Sequence, residues 1–373
     1  MSSSLVIVLT GVLVSVACAL LGAFLILRRM AMLADAISHA ILPGLVAGYF
    51  LAQGPNLLAG FAGAAVAALV TVSLVEALHK SGRVGNDAAI GIVFPAMFAL
   101  GTVVVSRWFS DVHLDADAIL YGHIEFAALE PLFLGGQDLG PQSLWMMGAL
   151  CVLNLLFVLL LYKELKVATF DAGLAATLGF SPLLIHYALM TMVSVTAVGA
   201  FTAVGAVLTV ALMIVPAATA YLLTHRLPWM IALAALIGAL SAVAGYLLAA
   251  AMDASIAGSM ATAAGAFFGL AALFSPSYGM FARIARLRRQ RLAFAAETLV
   301  LHLHTHEHTA DEPAESAVAH LHTELRWAPA FAQRVIRGAV AAGLVRRTNG
   351  HLELTDRGRR SAEEVLAREE TTL

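Results

Sequence analysis

Charged residues are scarce in this sequence. Of its 373 residues only 12% are Asp, Glu, Lys or Arg, whereas 60% are hydrophobic, and the mean hydropathy is +0.86. Soluble domains are about 25% charged and about 45–50% apolar. The composition therefore excludes an ordinary soluble globular chain and predicts a polytopic membrane protein.

Cysteine is almost absent, and the common enzyme motifs are missing. Cys18 and Cys151 each lie inside an apolar run, so they provide neither a disulfide framework nor a thiolate metal site, and we expect them to be small buried residues. The sequence has no G-x-x-x-x-G-K-[ST] phosphate loop and no H-E-x-x-H pair. We therefore expect no enzyme activity, and a pump built on this chain must take ATP hydrolysis from a separate subunit.

Long apolar runs account for most of the chain. The N-terminus lacks the basic residues of a cleavable signal, so the first run is predicted to be a retained helix. Runs long enough to span a bilayer occupy residues 5–27, 36–51, 57–78, 88–105, 144–161, 183–200, 204–223, 229–250 and 256–274. Nine crossings follow. Eight is the alternative, because run 36–51 is short and contains Pro43. The boundary near residue 202, between runs 183–200 and 204–223, is also poorly defined.

Basic residues in the connections predict the orientation. They fall in alternate connections, which should be cytoplasmic: Arg28, Arg29, Lys80, Arg83, Lys163, Lys166 and Arg226. The opposite loop, residues 106–142, has six acidic side chains and one basic side chain. That loop is either a surface that meets cations or a basic partner, or a solvated loop. The C-terminal tail is predicted to be cytoplasmic, and nine crossings put the N-terminus outside.

One pair of ionisable residues lies within the apolar runs near the N-terminus. Asp35 and His39 are four residues apart, so a helix places both on one face. In a soluble helix, Asp35 would be read as a cap and His39 as a satisfied core residue. Ionisable groups at membrane depth are costly and usually face a cavity. Carboxylate and imidazole are also ligands for first-row divalent metals, so the pair is a candidate metal site.

A short helix is predicted between two of the membrane runs. Asp171 can cap it, Gly179 can end it, and Pro182 prevents its continuation. Such an amphipathic helix is either a simple connector or an element that binds in a groove of a cytoplasmic partner.

The balance of charge changes near residue 280. Residues 1–280 carry 8 basic and 12 acidic side chains, and residues 281–373 carry 14 and 12. We predict a transmembrane domain at 1–280, a basic and His-rich cytoplasmic linker at 281–312, and a small cytoplasmic domain at 313–373. The arginines that begin the linker suit anionic membrane lipid.

The linker contains a tract of alternating histidines, namely His302, His304, His306 and His308. It is either a regulatory site for cytosolic metal or a solvated linker. Imidazoles at every second position converge only in an extended strand or a flexible loop, so a helical site is not expected.

Five blocks resemble the permease subunits of bacterial ABC transporters for manganese, zinc and iron, the ABC-3 group. In the family's order they are residues 27–44, 87–92, 120–122, 170–179 and 215–220. The likeness covers residues 1 to 280 and implies an all-α polytopic permease domain. It also implies a homodimer or heterodimer of permease subunits in the bacterial inner membrane, a cytoplasmic ABC ATPase and an extracytoplasmic metal-binding protein.

The resemblance also implies roles for single residues. Asp35 and His39 match the family's metal-contacting pair, and Asp171, Ala175 and Gly179 lie in the segment similar to the ATPase-coupling helix. His123 stands where many relatives have Asn. It is either an added ligand at the outer mouth or an exposed loop histidine. No bound cofactor is implied, only a transported divalent metal.

The end of the tail resembles a second family. Residues 343–358 are similar to the wing and following helix of a winged-helix domain, closest to metalloregulators of the diphtheria-toxin-repressor type. This α+β likeness favours manganese over zinc or iron as the cargo. The alternative function is a membrane-anchored metal sensor that signals through this tail. Because the tail is tethered to a membrane, nucleic acid is not an expected partner.

Overall fold

The computed structural model describes residues 2–53, 57–108, 124–127, 129, 131–134 and 137–372. The chain divides into two compact units, Met1–Gly279 and Met280–Leu373. The first unit contains the long apolar helices and the second contains most of the basic side chains.

The described part of the N-terminal unit is built almost wholly of helices. They are α1 Ser3–Leu27, α2 Ala31–Ala40, α3 Leu42–Leu51, α4 Leu57–Lys80, α5 Asn86–Trp108, α6 Gln142–Leu160, α7 Tyr162–Phe170, α8 Ala172–Thr177, α9 Pro182–Val204, α10 Ala206–Leu223, α11 Leu227–Met252 and α12 Ile256–Phe274. Among the described residues, nine stretches are long and apolar enough to cross a membrane, α2 and α3 counting together as one. The predicted all-α polytopic class is confirmed.

Gly205 separates α9 from α10, where the sequence left the number of crossings open. Its φ of 84° and ψ of 169° suit a residue without a Cβ. The two helices are therefore distinct elements, and nine is the number of crossings that the described residues support.

The second crossing is broken rather than continuous. It begins at Ala31, five residues before the predicted start, and the helix is interrupted at Ile41 between α2 and α3. Pro43 lies in the first turn of α3, where a missing N–H removes no helical hydrogen bond of α3 itself.

Helix α1 lies at the centre of the unit and packs against α6, α10 and α11. Val14, Leu21 and Phe24 on this helix are fully buried. In lipid, helices associate through close packing rather than through the hydrophobic effect. Gly44 on α3 and Gly63 on α4 show this closeness, because a Cβ on either glycine would collide with the carbonyl oxygen of the other.

The loop between α5 and α6 contains a small hairpin. Strand β1, Pro131–Leu134, pairs antiparallel with β2, Gln137–Pro141, with Leu134 opposite Gln137. A 3₁₀ turn at Ile124–Phe126 precedes it. The acidic loop predicted from the sequence therefore includes ordered structure in its described part.

The C-terminal unit mixes helices with a second hairpin. Its elements are α13 Met280–His306, α14 Glu312–Glu315, α15 Leu321–Glu324, α16 Pro329–Ala341, β3 Val345–Thr348, β4 His351–Leu354 and α17 Asp356–Thr372. The β3–β4 turn has positive φ at Asn349 and Gly350, as a tight hairpin turn requires.

The predicted linker at 281–312 differs from the structure. Most of it is helix α13, whose Leu299, Val300 and Leu303 are buried in the core of the C-terminal unit together with Val335 and Ile336 of α16. The apolar side chains of this stretch share one helical face, so α13 packs as part of the unit. The histidine tract is accordingly helical as far as His306, not extended.

Candidate functional site

Asp35 and His39 lie one turn apart on α2, as predicted. The distance from His39 Nε2 to Asp35 Oδ1 is 3.6 Å, and their side chains are 38% and 41% exposed, His39 first. Leu33 and Ile37 on the same helix are fully buried. Helix α2 therefore buries its apolar side chains and presents its two ionisable side chains on the face that is open in a single chain.

Aromatic side chains of α5 lie beside the imidazole. The ring centroid of His39 is 6.0 Å from that of Phe94 and 6.4 Å from that of Phe98, the second in a T-shaped arrangement. These contacts limit how the imidazole can turn. A rigidly held ligand loses less freedom when it binds an ion.

The helix break lies directly after this pair. Pro43 has no N–H to donate to the carbonyl of His39, four residues earlier. Helix α2 also ends here, and the negative end of a helix dipole favours a cation. The break thus leaves electronegative backbone carbonyl groups next to the carboxylate and the imidazole.

The pair by itself is an incomplete coordination sphere. Among the residues that the structure describes, no cluster of three or more ligand atoms includes Asp35 or His39. Protein-bound transition metals usually take four or more ligands. One carboxylate and one imidazole can therefore contact a passing ion, and further ligands must come from elsewhere.

A network of polar side chains joins four helices of the unit, and the sequence analysis did not single it out. Arg28 Nε donates to Thr169 Oγ1 at 3.1 Å, and Arg28 Nη1 lies 3.4 Å from His186 Nδ1. His186 Nε2 lies 3.8 Å from Glu76 Oε2, and Glu76 Oε1 lies 2.7 Å from Lys80 Nζ. Burial lowers the pKa of the Arg28 guanidinium below its usual value.

The network places the ends of α1, α4 and α7 and the start of α9 at one end of the helix bundle. A signal for it existed in the sequence, because Glu76 and His186 are ionisable residues inside predicted membrane runs. Their meeting could not be read from the sequence, since 110 positions separate them.

The segment that follows α7 has the predicted local structure. Asp171 Oδ1 accepts a hydrogen bond from the backbone N–H of Leu174 at 2.9 Å and caps α8. Gly179 takes a φ of 85°, which ends the helix. These two predictions are confirmed.

The side chains of this segment divide into buried and exposed sets. Ala175 is fully buried, whereas Leu174 and Leu178 are 50% and 57% exposed. Ala175, which the sequence placed with the partner-contacting residues, therefore packs inward. The exposed leucines form the surface that a partner can reach.

The remaining candidate residues lie elsewhere. His123 falls outside the described residues. His302, His304 and His306 are on α13 of the C-terminal unit, and His308 follows that helix with a φ of 65°. The structure brings His302 and His306 together, with ring centroids 4.9 Å apart.

Comparison with known proteins finds one matching family and several similar membrane proteins. The model of the ABC 3 transport family matches residues 4–275. The zinc transport system membrane protein TroD of Treponema pallidum (strain Nichols) is 46% identical over 352 residues, which cover 94% of this chain and 96% of that protein. The manganese transport system membrane protein MntD of Bacillus subtilis (strain 168) is 47% identical over 280 residues, 75% of this chain and 95% of that protein.

A solved structure, PsaBC from Streptococcus pneumoniae in complex with Fab, is also similar. It is 28% identical, with a TM-score of 0.62, over 76% of this chain and 94% of that chain. The family match lies within the N-terminal unit, whereas the similarity to TroD extends through most of the C-terminal unit as well. The family model covers well over half of the sequence and the match to TroD covers 94% of it, so this protein belongs to the ABC 3 transport family.

Proposed function

We propose that this chain is the permease subunit of an ATP-driven importer of a divalent transition metal. The observation that carries the proposal is the Asp35–His39 pair on the open face of α2. An ionisable side chain inside a membrane helix is costly. Contact with a doubly charged cargo ion gives a reason for such a residue to be retained.

A second permease subunit is part of the proposal. Asp35 and His39 supply two ligands, and both side chains are more than a third exposed in the single chain. A like subunit that faces α2 would cover them and supply the missing ligands. The partner can be a second copy of this chain or a different permease.

ATP hydrolysis takes place in a separate cytoplasmic subunit, because this chain has no phosphate-binding loop. We assign the contact with that subunit to residues 171–179, with Asp171 and Gly179 shaping the segment and Leu174 and Leu178 providing the exposed apolar surface. An apolar helix face that fits a groove is a common mode of recognition.

Manganese is the proposed cargo, with zinc and iron as alternatives. Oxygen and nitrogen ligands without thiolate accept all three metals. The names of the relatives refer to zinc for TroD and to manganese for MntD. The likeness of the tail to metalloregulators of the diphtheria-toxin-repressor type favours manganese.

The C-terminal unit is proposed to be a winged-helix-like cytoplasmic domain. Helix α16, the β3–β4 hairpin and helix α17 follow one another in the order that this domain requires. Alternating basic connections support a cytoplasmic location for the tail. The metal-binding protein would then deliver its cargo on the opposite, extracytoplasmic side.

Metal uptake by whole cells tests the proposal. Cells that lack their own manganese importers are given this chain with its ATPase and binding protein, and radioactive manganese is counted. His39→Ala should abolish uptake at unchanged expression, whereas His79→Ala, at an exposed histidine of α4, should not. Normal uptake by His39→Ala would remove the site assignment.

A second candidate function is a membrane-anchored metal sensor. Arg346 and Arg347 are exposed on β3, as phosphate contacts would require. Removal of residues 280–373 separates the two functions. Uptake that survives the removal supports the permease, and metal-dependent DNA binding by a chain that transports nothing supports the sensor.

A further inference from the structure

The C-terminal unit brings together three metal-ligating side chains from two helices. His302 and His306 are one turn apart on α13, and Glu315 ends α14. One ligand atom from each lies within 4.8 Å of the other two. A pair of histidines four residues apart on one helix face is a common arrangement for binding zinc.

The carboxylate of Glu315 lies between two imidazoles. Its Oε2 is 3.2 Å from His302 Nε2, and its Oε1 is 3.3 Å from His320 Nε2. The side chains of His302 and Glu315 are only 12% and 15% exposed. Each carboxylate oxygen of Glu315 thus lies close to an imidazole nitrogen.

Three of these ligating atoms are buried without a hydrogen bond. In the described part of the chain, His302 Nε2, Glu315 Oε2 and His320 Nε2 have no hydrogen-bond partner, although they lie close to one another. Buried polar atoms in folded proteins are nearly always satisfied. Ligand atoms that face one another without hydrogen-bond geometry can be satisfied together by one cation.

We propose that His302, His306 and Glu315 bind one divalent transition metal ion, and that His320 positions the carboxylate. Two imidazoles and one carboxylate suit zinc, and manganese should bind much more weakly. His320 fills the role of the groups that hold a ligating carboxylate in orientation. The site is separate from the Asp35–His39 pair and goes beyond the proposed transport function.

His304 and His308 are excluded from this site by their placement. His304 lies two positions from His302 and two from His306, so it projects from a different face of α13. His308 comes after the helix, and its backbone N–H donates to Glu312 Oε2 at 2.7 Å. The two histidines therefore provide a matched control within the same tract.

The site lies next to the β3–β4 hairpin. Immediately after Glu315, Ser316 accepts a hydrogen bond from the backbone N–H of Leu352, and Val318 donates one to Gly350. A cavity of about 210 Å³ lined by His306, Ser316 and Leu352 lies beside the site and touches it at His306. An ion bound here would fix the segment that holds the hairpin to α13.

Zinc chloride titrated into the full-length protein tests the site by calorimetry. The protein is purified in detergent without a histidine tag and carries Asp35→Asn and His39→Gln, so that the cargo pair cannot bind. This parent should bind one zinc per chain. Adding His302→Gln and His306→Gln should weaken binding by more than about 100-fold, and His320→Gln by about 10- to 100-fold.

The control variant, His304→Gln with His308→Gln, should bind zinc as the parent does. If the double variant folds poorly, Glu315→Gln provides the test instead. This substitution preserves the shape of the side chain and should show the same loss of zinc binding. The proposal is overturned if the parent binds no zinc, if the double variant and Glu315→Gln bind as the parent does, or if the control variant loses binding equally. None of these results bears on transport, because the parent lacks the cargo pair.

Discussion

The side chain of Arg28 donates a hydrogen bond from Nε to Thr169 Oγ1 at 3.1 Å, across 141 positions of sequence. Arg28 follows α1 and lies seven residues before Asp35, whereas Thr169 lies in the last turn of α7, two residues before the cap of α8. The bond therefore connects the proposed ATPase-contacting segment to the chain that leads into the proposed metal pair. We expect movement of one to be transmitted to the other through this partly buried contact.

Thr169→Val should uncouple transport from ATP hydrolysis. A hydrogen bond to a charged group contributes about 1.5–3 kcal/mol, and a loss of about 1.4 kcal/mol at the coupling step lowers uptake roughly tenfold. ATPase activity of the assembled complex should persist. Thr262→Val is the control, because that hydroxyl bonds only to a carbonyl of its own helix. Equal uptake by both variants would show that the Arg28 contact does not couple the two segments.

Gly44→Ala should destabilise the N-terminal unit. The new Cβ would collide with the carbonyl oxygen of Gly63, so α3 and α4 must separate, and overpacking of this kind costs about 1–3 kcal/mol. Gly265→Ala is the matched control, since nothing lies within 4 Å of its Cβ position. The measurement is the fraction of detergent-solubilised protein that stays monodisperse after heating. Identical melting of the two variants would contradict the close approach of α3 and α4 at Gly44 and Gly63.

Leu174→Asp should weaken assembly with the ATPase subunit. Leu174 is half exposed on α8, and loss of a well-packed apolar anchor costs about 2 kcal/mol, or roughly 30-fold in affinity. Co-purification of the ATPase with the permease measures the effect. Leu174→Met keeps the apolar contact and should assemble normally. Undiminished co-purification of the Asp variant would place the interface elsewhere.

The Glu307–Arg359 ion pair should make the stability of the C-terminal unit depend on pH. Arg359 Nη2 lies 2.8 Å from Glu307 Oε1, and its hydrogen bond holds the pKa of Glu307 below the ordinary value of 4.5. Since the folded pKa is depressed, the stabilisation is complete above pH 4.5 and is lost as pH falls through the folded value.

Limited proteolysis of the C-terminal unit in the full-length protein, from pH 7 to pH 3, measures this dependence. Glu307→Gln should be cleaved faster at pH 7 and should lose part of the acid sensitivity. Glu353→Gln, at an exposed position of β4, should behave as the wild type. A wild-type pH profile for Glu307→Gln would contradict the assignment.

Much of the architecture was predictable because membrane helices are determined locally. A run of about 20 apolar residues has few alternatives in a bilayer, so composition predicts the crossings and leaves open only whether there are eight or nine. The Asp35–His39 pair and the Asp171 cap depend on spacings of three or four residues, which helical geometry converts directly into neighbours.

The helix break at Ile41 and the meeting of Glu76 with His186 needed the tertiary structure. Pro43 indicated an interruption but not its position. The contact of Glu76 with His186 depends on which helices pack together, a property of shape and small residues that local sequence does not carry.

The sequence alone determined that this chain is a polytopic membrane protein with an ionisable pair on one helical face, because hydropathy and helical period act over neighbouring residues. Only the tertiary structure decided that the histidine tract is helical as far as His306 and that Glu315 meets His302 and His306. Burial of Leu299 and Leu303 in the core of the C-terminal unit selects the helix, and chain folding brings the carboxylate to it.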